Sequence, residues 1–150
     1  MLPLRMKNRL MIFAAIAALA LPPALLGAPE RLHAGQWELT TSHVDGEPDS
    51  MKICISAEEA ASINGGAKTG RAYAEKQAGE GCKVNDYTVN GNLVTYSVTC
   101  GKSTVRAKVT YAGDTSEGDT TIQREGQPDI VMHVKGKRLG ECPPGEAGKP

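Results

Sequence analysis

Beyond residue 36 apolar and polar side chains alternate one by one, the period-two signature of strands that bury a single face. Trp37, Leu39 and Thr41 alternate with Glu38, Thr40 and Ser42. After a turn signal at Asp45-Gly46, Met51, Ile53 and Ile55 alternate with Lys52 and Cys54. Ser56 then reads as the N-cap of one short helix, Ala57 to about Ile63, whose positive end is complemented by Glu58 and Glu59. Asn64-Gly65-Gly66 stops it. Residues 64–81 are glycine-rich and lack sustained periodicity, so a mobile loop held at its ends by Cys54 and Cys82 is expected there.

The segment from Lys83 to Cys100 carries the strongest local signal. Two alternating runs, Lys83 to Val89 and Leu93 to Cys100, flank Asn90-Gly91-Asn92, residues that tolerate positive φ in a tight hairpin. A two-residue Asn90-Gly91 turn sets Val89 against Asn92, Tyr87 against Val94 and Lys83 against Val98. Tyr87, Val89, Val94, Tyr96 and Val98 then share one face, and Asp86, Thr88 and Thr95 the other. A three-residue turn mixes polar with apolar, so the two-residue register is preferred. Val105, Ala107, Val109 and Tyr111 form a further strand, Gly113-Asp114 turns it, and a polar strand follows through Thr120-Thr121-Ile122. Glu125 to Pro128 turns again into Ile130 to Val134. Short links between neighbours predict a curved, half-barrel-like antiparallel meander that is mainly β, with one apolar face and one wet face. Pro143 to Pro150 is expected to be a disordered tail.

The amino terminus follows a different pattern. Arg5, Lys7 and Arg9 precede twelve consecutive apolar residues, Leu10 to Leu21. As a helix at about 1.5 Å per residue the run reaches roughly 18 Å, short of the ~30 Å hydrocarbon core. Pro22-Pro23 ends it, and the small residues Gly27 and Ala28 follow. A basic flank, a short apolar helix and small residues make residues 1–28 a secretory signal, cleaved between residues 24 and 34. The exported part, a single β-rich domain over 29–142, is expected in the periplasm or outside the cell. The formal net charge of zero changes with it: removing three basic groups leaves fourteen basic against seventeen acidic side chains. A mildly acidic body without basic blocks speaks against nucleic acid, because neutralising phosphates needs clustered Lys and Arg.

Export also sets how the cysteines read. Cys54, Cys82, Cys100 and Cys142 all fall in the exported part, and their spacings of 28, 18 and 42 residues lack the close pairs of a zinc site. An even number in an oxidising compartment predicts two disulfides. They would reinforce a thin core whose aromatics are Trp37, Tyr73, Tyr87, Tyr96 and Tyr111 alone. The hairpin register places Cys82 and Cys100 on opposite faces, which disfavours that pair. Of the two connectivities left, Cys54–Cys82 with Cys100–Cys142 is favoured, because each closes the shorter available loop.

The order of short motifs is itself informative. An exported leader precedes Gly35-Gln36-Trp37-Glu38-Leu39-Thr40-Thr41, Cys54-Ile55-Ser56, Cys82-Lys83-Val84, Val98-Thr99-Cys100 and Gly136-Lys137-Arg138-Leu139-Gly140-Glu141-Cys142-Pro143. In this order the chain resembles the bacterial domain-of-unknown-function family 3617, across essentially the whole exported part. The resemblance implies a small periplasmic or secreted β-rich domain with two disulfides and no assigned activity or catalytic residues. Ala34 stands where a proline often precedes the first glycine of that pattern.

Candidate chemistry is sparse. Gly101-Lys102-Ser103 resembles the end of a phosphate-binding loop, but Tyr96 occupies the place of its first glycine and the segment reads as strand. His33, His43 and His133 show no metal-binding spacing, although His43 and His133 are candidates to meet across the sheet. No G-x-S-x-G elbow is present, and the adjacent Glu58 and Glu59 point about 100° apart on a helix. Lys135, Lys137 and Arg138 make a small basic cluster. No catalytic residue, cofactor or metal is therefore assigned. The leading expectation is a non-catalytic envelope module whose concave apolar face holds an apolar ligand or a protein partner. The residues expected on that face are Trp37, Leu39, Tyr87, Val94, Tyr96, Val98, Val109 and Tyr111. A structural protein that oligomerises through strand edges is the alternative, and a hydrolase using His133 a more distant one.

Overall fold

The computed structural model describes residues 30–44 and 46–146. The leader over 1–28, Asp45 of the first turn signal and residues 147–150 of the tail lie outside the described residues. Seven strands, β1 (Gly35–His43), β2 (Asp49–Ile55), β3 (Cys82–Asn90), β4 (Leu93–Cys100), β5 (Ser103–Tyr111), β6 (Thr115–Arg124) and β7 (Ile130–Gly140), form one unclosed sheet in the order β2-β1-β7-β6-β5-β4-β3. Every pairing is antiparallel. Hairpins join β3 through β7 in sequence, as short connections dictate, and β1 then docks on β7. The protein is mainly β, as its alternating pattern predicts.

The registers sort the side chains onto two faces. Trp37, Leu39, Ile53, Val134, Gly136, Gly118, Val109, Tyr96 and Val94 all fall on the inner face, while Glu38, Lys52, Lys135, Glu117, Lys108 and Thr95 fall on the outer one. The most deeply buried large side chains are Trp37, Leu32, Val84 and Val94, each at most 2 % exposed. The two edge strands, β2 and β3, are joined by the helical segment that lies over the inner face.

That segment holds two helices rather than one. The first, α1 (Ala57–Asn64), starts on a capping box: Ser56 Oγ accepts from the Glu59 N–H at 3.2 Å and Glu59 Oε2 accepts from the Ser56 N–H at 2.8 Å. The second, α2 (Ala67–Ala78), occupies the stretch where a mobile loop is expected from composition. Its sequence is rich in the strong helix formers Ala, Lys, Glu and Gln, but Gly70 interrupts the pattern. Packing explains that glycine. A Cβ at Gly70 would sit 2.5 Å from Tyr87 Cε1 and Cζ, so the helix approaches the sheet over the tyrosine ring only because the side chain is absent.

The disulfide arrangement corrects the pairing favoured from sequence. Cys82 bonds to Cys100, while Cys54 and Cys142 are free thiols, so neither Cys54–Cys82 nor Cys100–Cys142 forms. The cause is a β-bulge. The hairpin turns over Gly91-Asn92, with Asn90 opposite Leu93 and Tyr87 opposite Tyr96, which preserves the predicted face assignment near the turn. Between Val84 and Asp86 the register then shifts by one residue, leaving Asn85 unpaired and Cys82 directly opposite Cys100. The extra residue flips everything beyond it: Val84 turns inward and is buried, and both sulfurs share a face. Arg71 of α2 supports the bulge by donating to the carbonyls of Val84 at 2.6 Å and Asn85 at 3.4 Å. The bond closes an 18-residue separation, and in the loop-entropy picture this stabilises by about 3 kcal/mol.

Two smaller expectations also change. His43 pairs with Met132 whereas His133 pairs with Ser42, so the two imidazoles project from opposite faces and do not meet. Arg138 leaves the basic cluster with Lys135 and Lys137 and turns to the amino-terminal segment, where its Nε donates to the Ala34 carbonyl at 2.6 Å. The chain beyond Pro143, expected as a tail, is described as far as Glu146, whose N–H closes a turn onto the Pro143 carbonyl at 3.1 Å.

Candidate functional site

The inner face is not filled evenly. Its middle strand, β6, presents Ser116, Gly118 and Thr120, small residues flanked by larger ones on β5 and β7. Gly118 is dictated by the backbone, since a Cβ there would lie 2.9 Å from Val109 Cα. Gly136 next to it makes room for the neighbouring strand, its absent Cβ falling 3.3 Å from Trp37 Cε3 and 3.2 Å from Leu39 Cδ2. Small residues at the centre and bulky ones around them leave a cavity of about 230 Å³ between the sheet and α1.

Each wall comes from a different element. Trp37 and Leu39 of β1, Ile53 and Ile55 of β2, Tyr96 of β4, Val109 and Tyr111 of β5, and Val134 of β7 line the sheet side, and Ile63 of α1 faces them. Leu32 closes one end. None of the lining residues carries a charge, and Ser116 and Thr120 supply the only side-chain hydroxyls besides the two tyrosines. Burial pushes the Tyr96 phenol up, and for Tyr111 burial is reinforced by the neighbouring phenols of Tyr96, Tyr87 and Tyr73. Both phenols are therefore neutral at physiological pH, and the cavity stays uncharged.

The amino-terminal segment fixes the end wall. Leu32 and Gly113 form an isolated parallel bridge, with the Gly113 N–H donating to the Arg31 carbonyl at 2.8 Å and the His33 N–H to the Gly113 carbonyl at 3.1 Å. Asn64 at the end of α1 grips the same segment through both amide atoms, accepting from the Leu32 N–H at 2.8 Å and donating to the Leu32 carbonyl at 2.7 Å. Arg31 Nη2 donates to the carbonyls of Ile63 at 2.9 Å and Asn64 at 2.7 Å, and also to that of Gly65. A guanidinium at this end of α1 satisfies carbonyls the helix leaves open and opposes the negative end of its dipole. Trp37 is locked by its Nε1–H, which donates to the His33 carbonyl at 3.0 Å.

Of the residues expected on a ligand face, Trp37, Leu39, Tyr96, Val109 and Tyr111 reach the cavity. Tyr87, Val94 and Val98 share the face but serve packing: Tyr87 stacks on Tyr96 with ring centroids 6.0 Å apart and lies under Gly70, and Val98 backs Val84. Sequence reasoning missed Leu32 and Ile63 as walls, because nothing in a period-two pattern reports what a helix or an irregular segment lays over a sheet. Ile53 and Ile55 were visible as an inward-facing pair. The glycine and hydroxyl residues of β6 carried a usable signal, a small-residue run on an inward face.

The outer face carries a broader open groove of about 790 Å³, lined by charged side chains including Lys108, Glu117, Asp119, His133, Lys135 and Lys137. Its charges are largely spent on each other. His133 Nδ1 bonds Asp119 and Nε2 bonds Glu117, both at 2.8 Å, and Lys135 lies 3.5 Å from Glu117. The hydrogen bonds to Asp119 and Glu117 hold the His133 pKa above its ordinary 6.5, and the bond to His133 with the charge of Lys135 holds Glu117 below its ordinary 4.5. With a carboxylate on each ring nitrogen, His133 has neither nitrogen free to activate a nucleophile. The two carboxylates bond opposite sides of the ring, so they do not converge on a common point, and among the described residues no three such groups are placed to hold a metal ion.

Comparison with known proteins gives a family and no further relative. The family model described as a protein of unknown function (DUF3617) matches residues 32–142, spanning Leu32 at the end wall and all seven strands. No curated protein and no solved structure matches the chain.

Proposed function

The chain belongs to the DUF3617 family, whose function is unknown, and we propose that it is an exported, non-catalytic module that binds an apolar ligand in the cavity under α1. The observation that carries this reading is the uncharged cavity of about 230 Å³, walled by Trp37, Ile53, Ile55, Ile63, Val109 and Tyr111. Its size decides what fits. Apolar voids of about 150 Å³ accept a benzene ring, whereas drug-sized ligands need roughly 300 Å³ or more. A small apolar molecule or the end of one acyl chain matches the interval between them. Burial of apolar surface, at about 25 cal/mol per Å², supplies the affinity without any charged anchor. The larger outer groove is the weaker candidate, because Glu117, Asp119, His133 and Lys135 are already paired with one another and water competes for every charge in it.

Export is supported by the basic flank and short apolar run of residues 5–21, and by a disulfide of the kind that persists where thiols oxidise. Fractionation of cells producing the full chain tests it directly: an exported protein appears outside the cytoplasm without its leader, and a cytosolic one retains Met1.

Trp37 is the sole tryptophan of the chain and lines the cavity, so its fluorescence reports occupancy. Titration with a short-chain fatty acid bearing a quenching nitroxide at its methyl end is expected to quench Trp37 saturably. Native mass spectrometry after mild extraction is expected to find an apolar molecule retained. A protein that is uniformly ligand-free and whose tryptophan is not quenched overturns the reading.

A second reading is favoured by the open ends of the sheet. Edge strand β2 is paired only with β1, and Met51 on it is 58 % exposed. An unpaired edge is a template for strand addition by a second copy or an envelope protein. Sedimentation at high protein concentration tests the first possibility, and a clean monomer removes it.

A further inference from the structure

Two thiols that the disulfide does not use lie together at one end of the sheet. Gln36 of β1 is paired on one side with Cys54 of β2 and on the other with Gly140 of β7. Two residues beyond Gly140 the chain has left β7, and Cys142 comes to lie near Cys54. Both cysteines are half-buried and neither is bonded to another sulfur. The return is held in place by Arg138, which binds the Ala34 carbonyl with Nε and the Glu141 carboxylate with Nη2. The carboxy-terminal segment therefore passes the start of β1 and delivers one sulfur to an edge strand two positions away in the sheet.

We propose that Cys54 and Cys142 form a dithiol site that closes to a second disulfide and latches edge strand β2 to the carboxy-terminal segment. The oxidant is a small disulfide, such as oxidised glutathione. Cys142 thiolate attacks one of its sulfurs, forming a mixed disulfide and releasing one glutathione thiolate. Cys54 thiolate then attacks the Cys142 sulfur, forming the Cys54–Cys142 bond and expelling the second glutathione. Both protein thiol protons end on the two glutathione thiols, and two electrons pass from the protein to the oxidant. The order of attack follows from the local environment. The interaction with Cys142, then burial, then the Cys142 and Glu146 charges push the Cys54 thiol up to about 11, so Cys54 is a poor first nucleophile while the Cys142 sulfur stays uncapped. Capping Cys142 removes the first and third of these effects and releases Cys54 to react.

The consequence is mechanical. β2 has one neighbour in the sheet, and its Ile53 and Ile55, on either side of Cys54, form one wall of the cavity. With the latch open, β2 is held by β1 alone and is the strand most readily displaced. With it closed, the wall is tied covalently to the far end of the chain. The link to ligand access rests on the binding reading above; the bond itself does not.

The test uses the full-length exported protein, treated with a mild reductant and then with oxidised glutathione, without any apolar probe. Peptide mapping is expected to find Cys54 joined to Cys142, Cys82 still joined to Cys100, and no glutathione retained. In Cys54→Ser, Cys142 is expected to keep one glutathione. Hydrogen exchange at the β2 amides is expected to slow at least tenfold on oxidation of the native chain and not in Cys54→Ser. Glutathione persisting on both cysteines of the native protein, or bonds from either to Cys82 or Cys100, overturns the site. Unchanged β2 exchange in a protein shown to carry the bond overturns the latch. A failure of Trp37 quenching leaves these readouts untouched, so the two ideas fail separately.

Discussion

Single side chains decide several features of this molecule, and Gly70 is the sharpest. Alanine is the better helix former by about 1 kcal/mol, yet Gly70→Ala would drive a methyl into the Tyr87 ring, 2.5 Å from Cε1. Overpacking of this kind costs about 1–3 kcal/mol, so after the propensity gain a net loss of up to about 2 kcal/mol is expected in urea unfolding. Tyr87→Leu in the same chain should return part of it. His133 offers a second residue-scale outcome. Its pKa is raised by Asp119 first and Glu117 second, so its NMR titration midpoint should lie above 6.5 and fall back in Asp119→Asn. The sign for stability follows. The His133 contribution is complete below its ordinary 6.5 and disappears as pH rises through the folded value. The Glu117 contribution is complete above its ordinary 4.5 and disappears as pH falls. The bridge thus helps most between those two limits.

At the scale of elements, the strands were readable and their irregularities were not. Alternation located the first five, because a sheet with one wet face writes its period into the sequence at every second residue, and turn signals bracketed β6 and β7. Two elements escaped. Helix α2 was hidden by Gly70, whose reason lies on β3 and is invisible to any local reading. The bulge at Asn85 was hidden because an extra residue leaves composition and local alternation almost unchanged while reversing the face of everything beyond it. That one residue is why a sound face assignment near the turn produced the wrong sulfur pairing. Deleting Asn85 should therefore remove the bulge yet keep Val84 opposite Val98 and Cys82 opposite Cys100, because the partners of Val84 and Asp86 are already consecutive on β4. Thiol counting under denaturing, non-reducing conditions is expected to find the Cys82–Cys100 bond in the deletion variant as in the parent. The cavity shows the same division. Its sheet wall was legible from inward-facing positions, whereas Ile63 and Leu32 depend on how α1 and the amino-terminal segment lie across the strands.

The whole molecule is a sheet with two free edges whose open side is bridged by its longest connection, running from β2 to β3 through both helices. Tyr87, Tyr96 and Tyr111 gather under that bridge and Tyr73 is carried on it by α2, and burial raises the pKa of each. Proton linkage then sets an alkaline limit on the fold. Their stabilising contribution is complete below the ordinary phenol value of 10.0 and is lost as pH climbs toward the folded values, because the unfolded chain releases these protons first. Thermal unfolding midpoints should drop steeply above about pH 10, in step with phenolate absorbance. A ligand seated between Trp37 and Tyr111 should move that drop to higher pH, which ties the stability curve to the proposed binding.

The clasp of Arg31 and Leu32 on the end of α1 and on Gly113 also bears on maturation. If a signal peptidase trims this chain, a cut as late as residue 34 would sever the clasp from the finished product, discarding a leucine that is only 1 % exposed. The folded architecture therefore selects the early part of the 24–34 window, and the mature amino terminus read by Edman degradation should begin no later than Arg31.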